Sequence, residues 1–291
     1  MTKEEFPTID SKTFKTSNGT LYLKEPGIAL ISKPQVNLKS LKPFLEGFPG
    51  EYKFVNYLKD PVKLPPAEAL SKVSGQTCYV SFGEGRTWNR DAQRYFDNII
   101  TSGHGSVLEH ANFTFLLWGV SRSFTHELVR HRAGVGYSQV SQRYVSGRVL
   151  RFVERAEYQK DKNLHKLFED RIDRAYKEYS DMANILYSLQ EKGSKILSGE
   201  AKTDLRKKVQ QVARSVLPNE TEAPVVVTAN VRALRHMINM RASDHAEIEI
   251  RNVFFKIYSI LKTISPMLFK DFKVVKLPDG TKCVKTEYPK V

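Results

Sequence analysis

Across residues 163–192, Leu164, Phe168, Ile172, Ala175, Tyr179, Met182, Leu186 and Leu189 recur at spacings of three and four. That is the helical period, so the stretch predicts one long amphipathic helix with a continuous apolar stripe. A stripe of this length has to be covered, and the chain supplies further helices. They are predicted from near Ala67, over 89–101, 121–132, 203–216 (stopped before Pro218), 231–240 and 244–264, the last ended by Pro266. Strands are fewer. Ala111, Phe113, Phe115 and Leu117 alternate with Asn112 and Thr114, the mark of a half-buried strand. Residues 21–23, 28–31, 148–153 and 225–229 are shorter candidates, and 272–291 reads as a basic hairpin turning at Asp279-Gly280. Without a βαβ alternation, this pattern predicts an α+β fold of long helices packed with a small, mostly antiparallel sheet. The expected division is an N-terminal extension over 1–60, a main domain over 61–270 and a basic tail over 271–291; Pro61, Pro65 and Pro66 mark the first boundary.

The chain has 291 residues, 41% hydrophobic and 27% charged, an ordinary balance for a soluble globular protein. No apolar run approaches the roughly 20 residues that cross a bilayer, and the polar start lacks the apolar core of a secretory signal. The cysteines, Cys78 and Cys283, form no pair or zinc-ligand spacing, which fits a reducing, cytoplasmic setting. Cys78 is expected to be a buried, inert thiol rather than a catalytic one. The net charge of +14 calls for anionic partners. Lys and Arg are spread along the chain with no run of five, so nucleotides, dinucleotides and folate polyglutamates suit it as well as nucleic acid does.

The densest polar cluster runs from Arg130 to Tyr144. Two arginines flank His131, and Gly134 and Gly136 let the backbone turn tightly. Ser138, Gln139, Ser141, Gln142 and Arg143 then offer hydroxyl, amide and guanidinium groups within six residues. A guanidinium grips phosphate through two parallel bonds, and hydroxyls add oriented donors. Such a segment can hold a nucleotide phosphate and touch a second anionic ligand; a solvated basic loop is the plainer reading of the tripeptide alone.

The segment resembles the signature of the flavin-dependent thymidylate synthases, an Arg-His-Arg followed by a loop, a serine and an arginine-tyrosine pair. Three further stretches resemble that family in the same order. Residues 102–110, SGHGSVLEH, are similar to its G-H-x-[ST]-x-x-E-H motif, and residues 212–218, VARSVLP, to its A-R-x-x-L-P. Residues 230–236, NVRALRH, and 240–250, MRASDHAEIEI, are similar to its N-x-R-x-L and R-A-x-x-H-A-x-x-E-I block. The resemblance spans about 71–264. Two departures stand out: eight residues, 133–140, separate Arg132 from Ser141 where the family has seven, and Gln139 stands where many relatives carry an acid.

The resemblance implies FAD held between subunits of a homotetramer, with Ser81, Ser106, Glu109, Arg130, His131, Arg132, Asn230, Arg232, His236 and His245 as cofactor contacts. Arg130, Arg132 and Arg232 suit the pyrophosphate. Ser106 and Glu109 equally form a Ser-x-x-Glu capping box, and His236 equally reads as a histidine packed in a helix face. Glu127, Gln139, Val140, Ser141, Gln142, Arg143, Arg214 and Arg241 fall at the deoxyuridylate (dUMP) site, Arg143 and Arg214 on its phosphate. Arg241 would face the uracil ring, where a fixed cation stabilises charge that builds up as C5 attacks; a salt bridge at a helix end is its plainer reading. Ser141 lacks a paired base and is assigned to hydrogen bonding rather than nucleophilic attack. His104 either places folate and accepts a proton or is structural. The implied co-substrates are methylenetetrahydrofolate and NADPH, the latter bound transiently because no Gly-rich dinucleotide fingerprint is present. The implied reaction is methylation of dUMP to dTMP. Methylation of another uridylate, motivated by the longer loop and the extension, is the alternative within enzymes. A basic nucleic-acid-binding protein on the same scaffold is the alternative outside them, although no RRM, KH or C2H2 pattern occurs.

Overall fold

The structure, a computed structural model, describes residues 6–145, 149–191 and 202–291. In chain order the strands are β1 (Thr8–Ile9), β2 (Thr13–Lys15), β3 (Leu21–Leu23), β4 (Gly27–Ser32), β5 (Asn112–Trp118), β6 (Val135–Gln139), β7 (Arg151–Val153), β8 (Val225–Asn230), β9 (Lys273–Lys276) and β10 (Lys282–Lys285). The α-helices are α1 (Lys42–Glu46), α2 (Pro66–Cys78), α3 (Ala92–Thr101), α4 (Arg122–Leu128), α5 (Lys162–Glu191), α6 (Lys202–Ala213), α7 (Val231–Arg241) and α8 (Ile248–Ile264). Long helices beside short, almost wholly antiparallel strands make this α+β, as the residue pattern predicts.

The central sheet has the order β1-β4-β5-β8-β6, every pair antiparallel. Its register sets Phe113 opposite Ala229, Phe115 opposite Val227 and Leu117 opposite Val225, so the alternation of β5 and that of β8 bury the same face. Onto that face pack Phe96, Ile99 and Ile100 of α3, Leu234, Met237 and Ile238 of α7, and Val253, Phe254, Ile257 and Leu261 of α8. Each fully buried aromatic or branched side chain here contributes about 1.5–3 kcal/mol by leaving water. The main core is therefore the floor on which α7 is laid.

The long helix is present, and its stripe is divided between two partners. Phe168, Ile172 and Ala175 pack with Tyr22 of β3 and Phe152 of β7 in a three-stranded sheet of order β2-β3-β7, where β3 and β7 run parallel. Tyr179 and Ala183 pack with Val209 and Ala213 of α6. Leu164 and Leu189, at the ends of the predicted stripe, are exposed. The stretch 1–60 is tied into the body: β4 pairs with β5, and Ile28 and Leu30 belong to the main core. At the other end β9 and β10 form the expected hairpin, and Gly280 takes φ +86° in its turn. Arg235, buried in α7, holds that tail through Asp271 at 2.7 and 2.8 Å and the Val291 carbonyl at 2.9 Å.

Several boundaries differ from those predicted. The helix expected over 121–132 ends at Leu128, so residues 130–132 form a turn. The Tyr137 hydroxyl lies 2.9 Å from the Leu128 carbonyl, which also accepts from the His131 N–H, and 2.8 Å from the His131 carbonyl. After Arg132 the backbone turns at Gly134, at φ +69°, as expected, but 135–139 is a strand, β6, and not a loop; tertiary pairing with β8 overrides the weak strand propensity of Gly136 and Ser138. The helix expected from Asp244 begins at Ile248, where the Glu247 carboxylate accepts from the Glu249 N–H. Of the strand expected over 148–153, β7 retains 151–153, and Arg148 lies outside the described residues. Lys192, at the end of the predicted long helix, also lies outside them. Cys78 is exposed and not buried, while Cys283 is buried. Among the described residues no helix is long and apolar enough to cross a membrane.

Candidate functional site

The short helix α4 organises one half of the site. Ser121 caps its N-terminus, accepting from the Phe124 N–H at 3.1 Å, and the Glu249 carboxylate holds Ser121 through its N–H and hydroxyl, each at 2.7 Å. Three positions on α4, Arg122, Thr125 and Glu127, then meet three other segments. Burial first, and then the like charge of Arg214 nearby, lower the pKa of Arg122. Neither makes an ion pair among the described residues, an arrangement that an anion between them would relieve. Thr125 accepts from the Gln139 amide at 3.3 Å. Glu127 accepts from Arg241 Nη1 at 2.7 Å on its carboxylate and from Nη2 at 3.2 Å on its carbonyl.

Arg241 is also bound to the Arg-His-Arg turn: its Nε donates to His131 Nε2 at 2.9 Å. The ring of His236 lies edge-on to that of His131, centroids 5.7 Å apart. Burial first, then the charges of Arg241 and His236, push the His131 pKa down to about 4. The ring is therefore neutral at neutral pH, and its Nε2 accepts the hydrogen bond from the guanidinium. Arg241, the last residue of α7, thus forms the helix-end salt bridge of the plainer reading, and it does so with another of the predicted site residues.

The N-terminal end of α7 faces two cavities that share Arg232. One, of about 470 Å³, is lined by Ser81, His104, Ser106 and Arg232, together with Cys78 and Tyr79. The other, of about 360 Å³, is lined by Glu109, Gly134, Asn230, Arg232 and His236 and by the tail residues 289–291. Asn230 caps α7, its Oδ1 accepting from the Ala233 N–H at 2.8 Å. Arg232 donates to Glu109 at 2.6 Å. The turn Gly105–Glu109 carries no side-chain cap, so Ser106 and Glu109 do not form the capping box; Glu109 is drawn to the cation instead. His236 is exposed on the helix and not packed in the core.

Two glycines keep these walls close together. A Cβ on Gly105 would lie 2.9 Å from Arg232 Nε, and one on Gly134, at φ +69°, would lie 2.5 Å from Asn230 Nδ2. A guanidinium, a helix N-terminus and a backbone stripped of side chains are what a pyrophosphate-linked dinucleotide requires, so the residues present fit such a group.

The remaining candidates are placed as follows. Arg130 and Arg132 are exposed on the turn and line neither cavity. His245 has a side chain 95% exposed, beside Asp244, and is not brought to the group within this chain. Ser141 accepts from the Arg143 N–H at 3.3 Å in a turn that leaves Arg143 exposed over the Tyr144 ring. Val140 and Gln142 line a third cavity of about 400 Å³ with Tyr179, Leu217 and Glu222. Arg122 and Tyr137 were not singled out from sequence. Arg122 lies in a helix whose polar residues carry no motif, and only its approach to Arg214 marks it.

A family model described as thymidylate synthase complementing protein matches residues 62–267. A flavin-dependent thymidylate synthase of Mycobacterium tuberculosis (strain ATCC 25618 / H37Rv) is 41% identical over 214 residues, 73% of this chain and 82% of the relative. The same identity and coverage hold for one of Mycolicibacterium gilvum (strain PYR-GCK). One of Mycobacterium sp. (strain KMS) is 42% identical over 220 residues, 75% of this chain and 85% of the relative.

Proposed function

The chain belongs to the thymidylate synthase complementing protein family, whose relatives above are named flavin-dependent thymidylate synthases, and on that premise we propose that it methylates dUMP at C5 to give dTMP. The flavin of this reading is FAD, the carbon donor methylenetetrahydrofolate and the reductant NADPH. When bound, the flavin supplies the reducing equivalents that complete the methyl group.

The observation that carries this reading is the layout of α7. Asn230 and Arg232 face the cavities at one end, His236 lines one of them from mid-helix, and Arg241 meets Glu127 and His131 at the other end, about 14 Å from Arg232 along the axis at the usual helical rise. One rigid element thereby sets the spacing between a dinucleotide pocket and a fixed cation. In this reading Arg232 and the α7 N-terminus hold the FAD pyrophosphate, with Ser81, Ser106, Glu109, Asn230 and His236 around it. Arg130, Arg132 and His245 reach the cofactor from the surface, consistent with a homotetramer whose sites are shared between subunits.

Arg241 has five N–H donors, and three are spent on His131 and Glu127. The rest are available to the uracil O2 and N3 edge, where a prepositioned cation stabilises charge as C5 attacks. Arg143 and Arg214, with Ser141, Gln139, Val140 and Gln142, bind the nucleotide, and Arg122 adds a second cation beside Arg214. His104 faces the larger cavity with Ser81 and Ser106, where folate stacks in this reading.

The test is spectroscopic. Purified protein loaded with FAD should bleach under NADPH and regain its colour on adding methylenetetrahydrofolate and dUMP, with dTMP formed in step. Uridylate in place of dUMP should give no methylated product; equal turnover of both would overturn the substrate assignment.

A further inference from the structure

A cavity of about 350 Å³ lies where residues 36–64 fold over the start of α2, and it shares no residue with the site described above. Lys72 lines it with its side chain fully buried. The amine donates to Asn89 Oδ1 at 2.9 Å and to Gln76 Oε1 at 3.4 Å, both neutral amides. Among the described residues no carboxylate comes within ion-pair distance of it. Burial pushes its pKa down to about 8.

A second buried cation stands nearby. Lys72 Nζ is 5.8 Å from the Tyr57 ring centroid, and the Arg86 guanidinium is 5.7 Å from the same ring. Arg86 is 6% exposed, and its Nε has no hydrogen-bond partner among the described residues. The carboxylate acting on both cations is Asp60, and its oxygens are already engaged by the N–H groups of Val62 at 3.2 Å and Asn89 at 3.0 Å. Exposed Lys39 and Lys63 line the same cavity. Buried cations are normally paired, because an unpaired charge out of water is costly. Here positive charge exceeds negative beside an open space whose other walls, Leu38, Tyr57 and Leu58, are apolar or aromatic.

We propose that this cavity binds a small organic carboxylate on an apolar skeleton, its carboxylate on the Lys72 amine and its skeleton against Leu38, Tyr57 and Leu58. A monoanion is favoured over a phosphate because Asp60 shares the cavity and repels a second negative charge. Half of the lining, including Leu38, Tyr57 and Asp60, precedes the range 62–267 that the family model matches. The segment before the matched range thus acquires a binding role separate from the arginine-rich site.

The experiment is a ¹⁹F NMR titration of 4-fluorobenzoate into the full chain saturated with FAD and dUMP, so that the arginine-rich site is filled. The expected result is saturable broadening that Lys72→Met weakens at least about tenfold, as loss of one charge-assisted hydrogen bond would, with flavin content unchanged. Leu38→Trp, which fills the cavity and removes no charge, should abolish binding as well; it decides the matter if Lys72→Met does not fold. 4-Fluorophenyl phosphate should bind more weakly than the benzoate. No saturable binding by the unaltered chain, binding that persists in Leu38→Trp, or tighter binding of the phosphate would each overturn the proposal.

Discussion

Arg241 Nε donates to His131 Nε2 across 2.9 Å, joining the end of α7 to the turn after α4 over a sequence separation of 110 residues. The bond requires a lone pair on Nε2, so the ring proton sits on Nδ1 and the imidazole is neutral.

The first prediction concerns that ring. His131 should titrate near 4 instead of its ordinary 6.5. A lowered histidine pKa means that the folded chain favours the neutral ring. Its contribution to stability is full above pH 6.5 and is lost as pH falls through the window from 6.5 to about 4. NMR of the imidazole signals reads the midpoint directly, and a value at or above 6.5 would contradict the Arg241 contact.

Arg241→Ala should leave FAD binding nearly intact and lower turnover by about 100- to 1,000-fold, the usual loss for one preorganised donor. Arg241→Lys should rescue little, because an ammonium cannot span His131 and Glu127 with a planar fork. Flavin absorbance and dTMP formation measured on the same samples separate binding from chemistry. Product formation that survives Arg241→Ala would remove this residue from the reaction.

Gly134→Ala should weaken flavin binding and cost about 1–2 kcal/mol of stability, because a side chain at left-handed φ is strained and its Cβ meets Asn230. Gly136→Ala is the control: nothing lies within 4 Å of a Cβ there. Flavin fluorescence titration and thermal melting should distinguish the two, and equal behaviour would count against the close approach at Gly134.

Glu68 is fully buried on α2; one carboxylate oxygen accepts from the Met267 N–H at 2.8 Å and the other has no partner among the described residues. Burial raises its pKa from 4.5 to about 7. The folded chain therefore holds this proton more tightly than the unfolded chain, so stability declines as pH rises from 4.5 to about 7 and stays reduced above. Glu68→Gln keeps an acceptor for Met267 and should stabilise the protein at pH 8 by on the order of 1–3 kcal/mol, with little effect at pH 4. Denaturant melts at the two pH values check the sign.

Much of the architecture was legible residue by residue. The period of Phe168, Ile172, Ala175 and Tyr179 foretells α5, and the alternation of Phe113, Phe115 and Leu117 foretells β5. Element ends were less legible. The chain leaves α4 at Leu128 and enters β6 at Val135 because β8 offers a partner and the Tyr137 hydroxyl sits beside the helix-end carbonyls; neither cause is local. Within the site, the arginines and histidines are conspicuous as residue types, but their pairing is not. Nothing in the spelling of Arg122 distinguishes it from a solvated arginine, and nothing in Lys72 announces a lysine buried against amides.

Most helices, the principal strands, the fold class and the family are legible along the chain, because apolar periodicity and short motifs are local patterns. Folding in three dimensions alone sets Arg241 against Glu127 and His131, gives Arg232 to two cavities, leaves His245 exposed and lining neither, and closes residues 36–64 over the Lys72 amine. These are meetings between side chains far apart in sequence. Burial and charge act through space, and no local pattern encodes which distant groups they bring together.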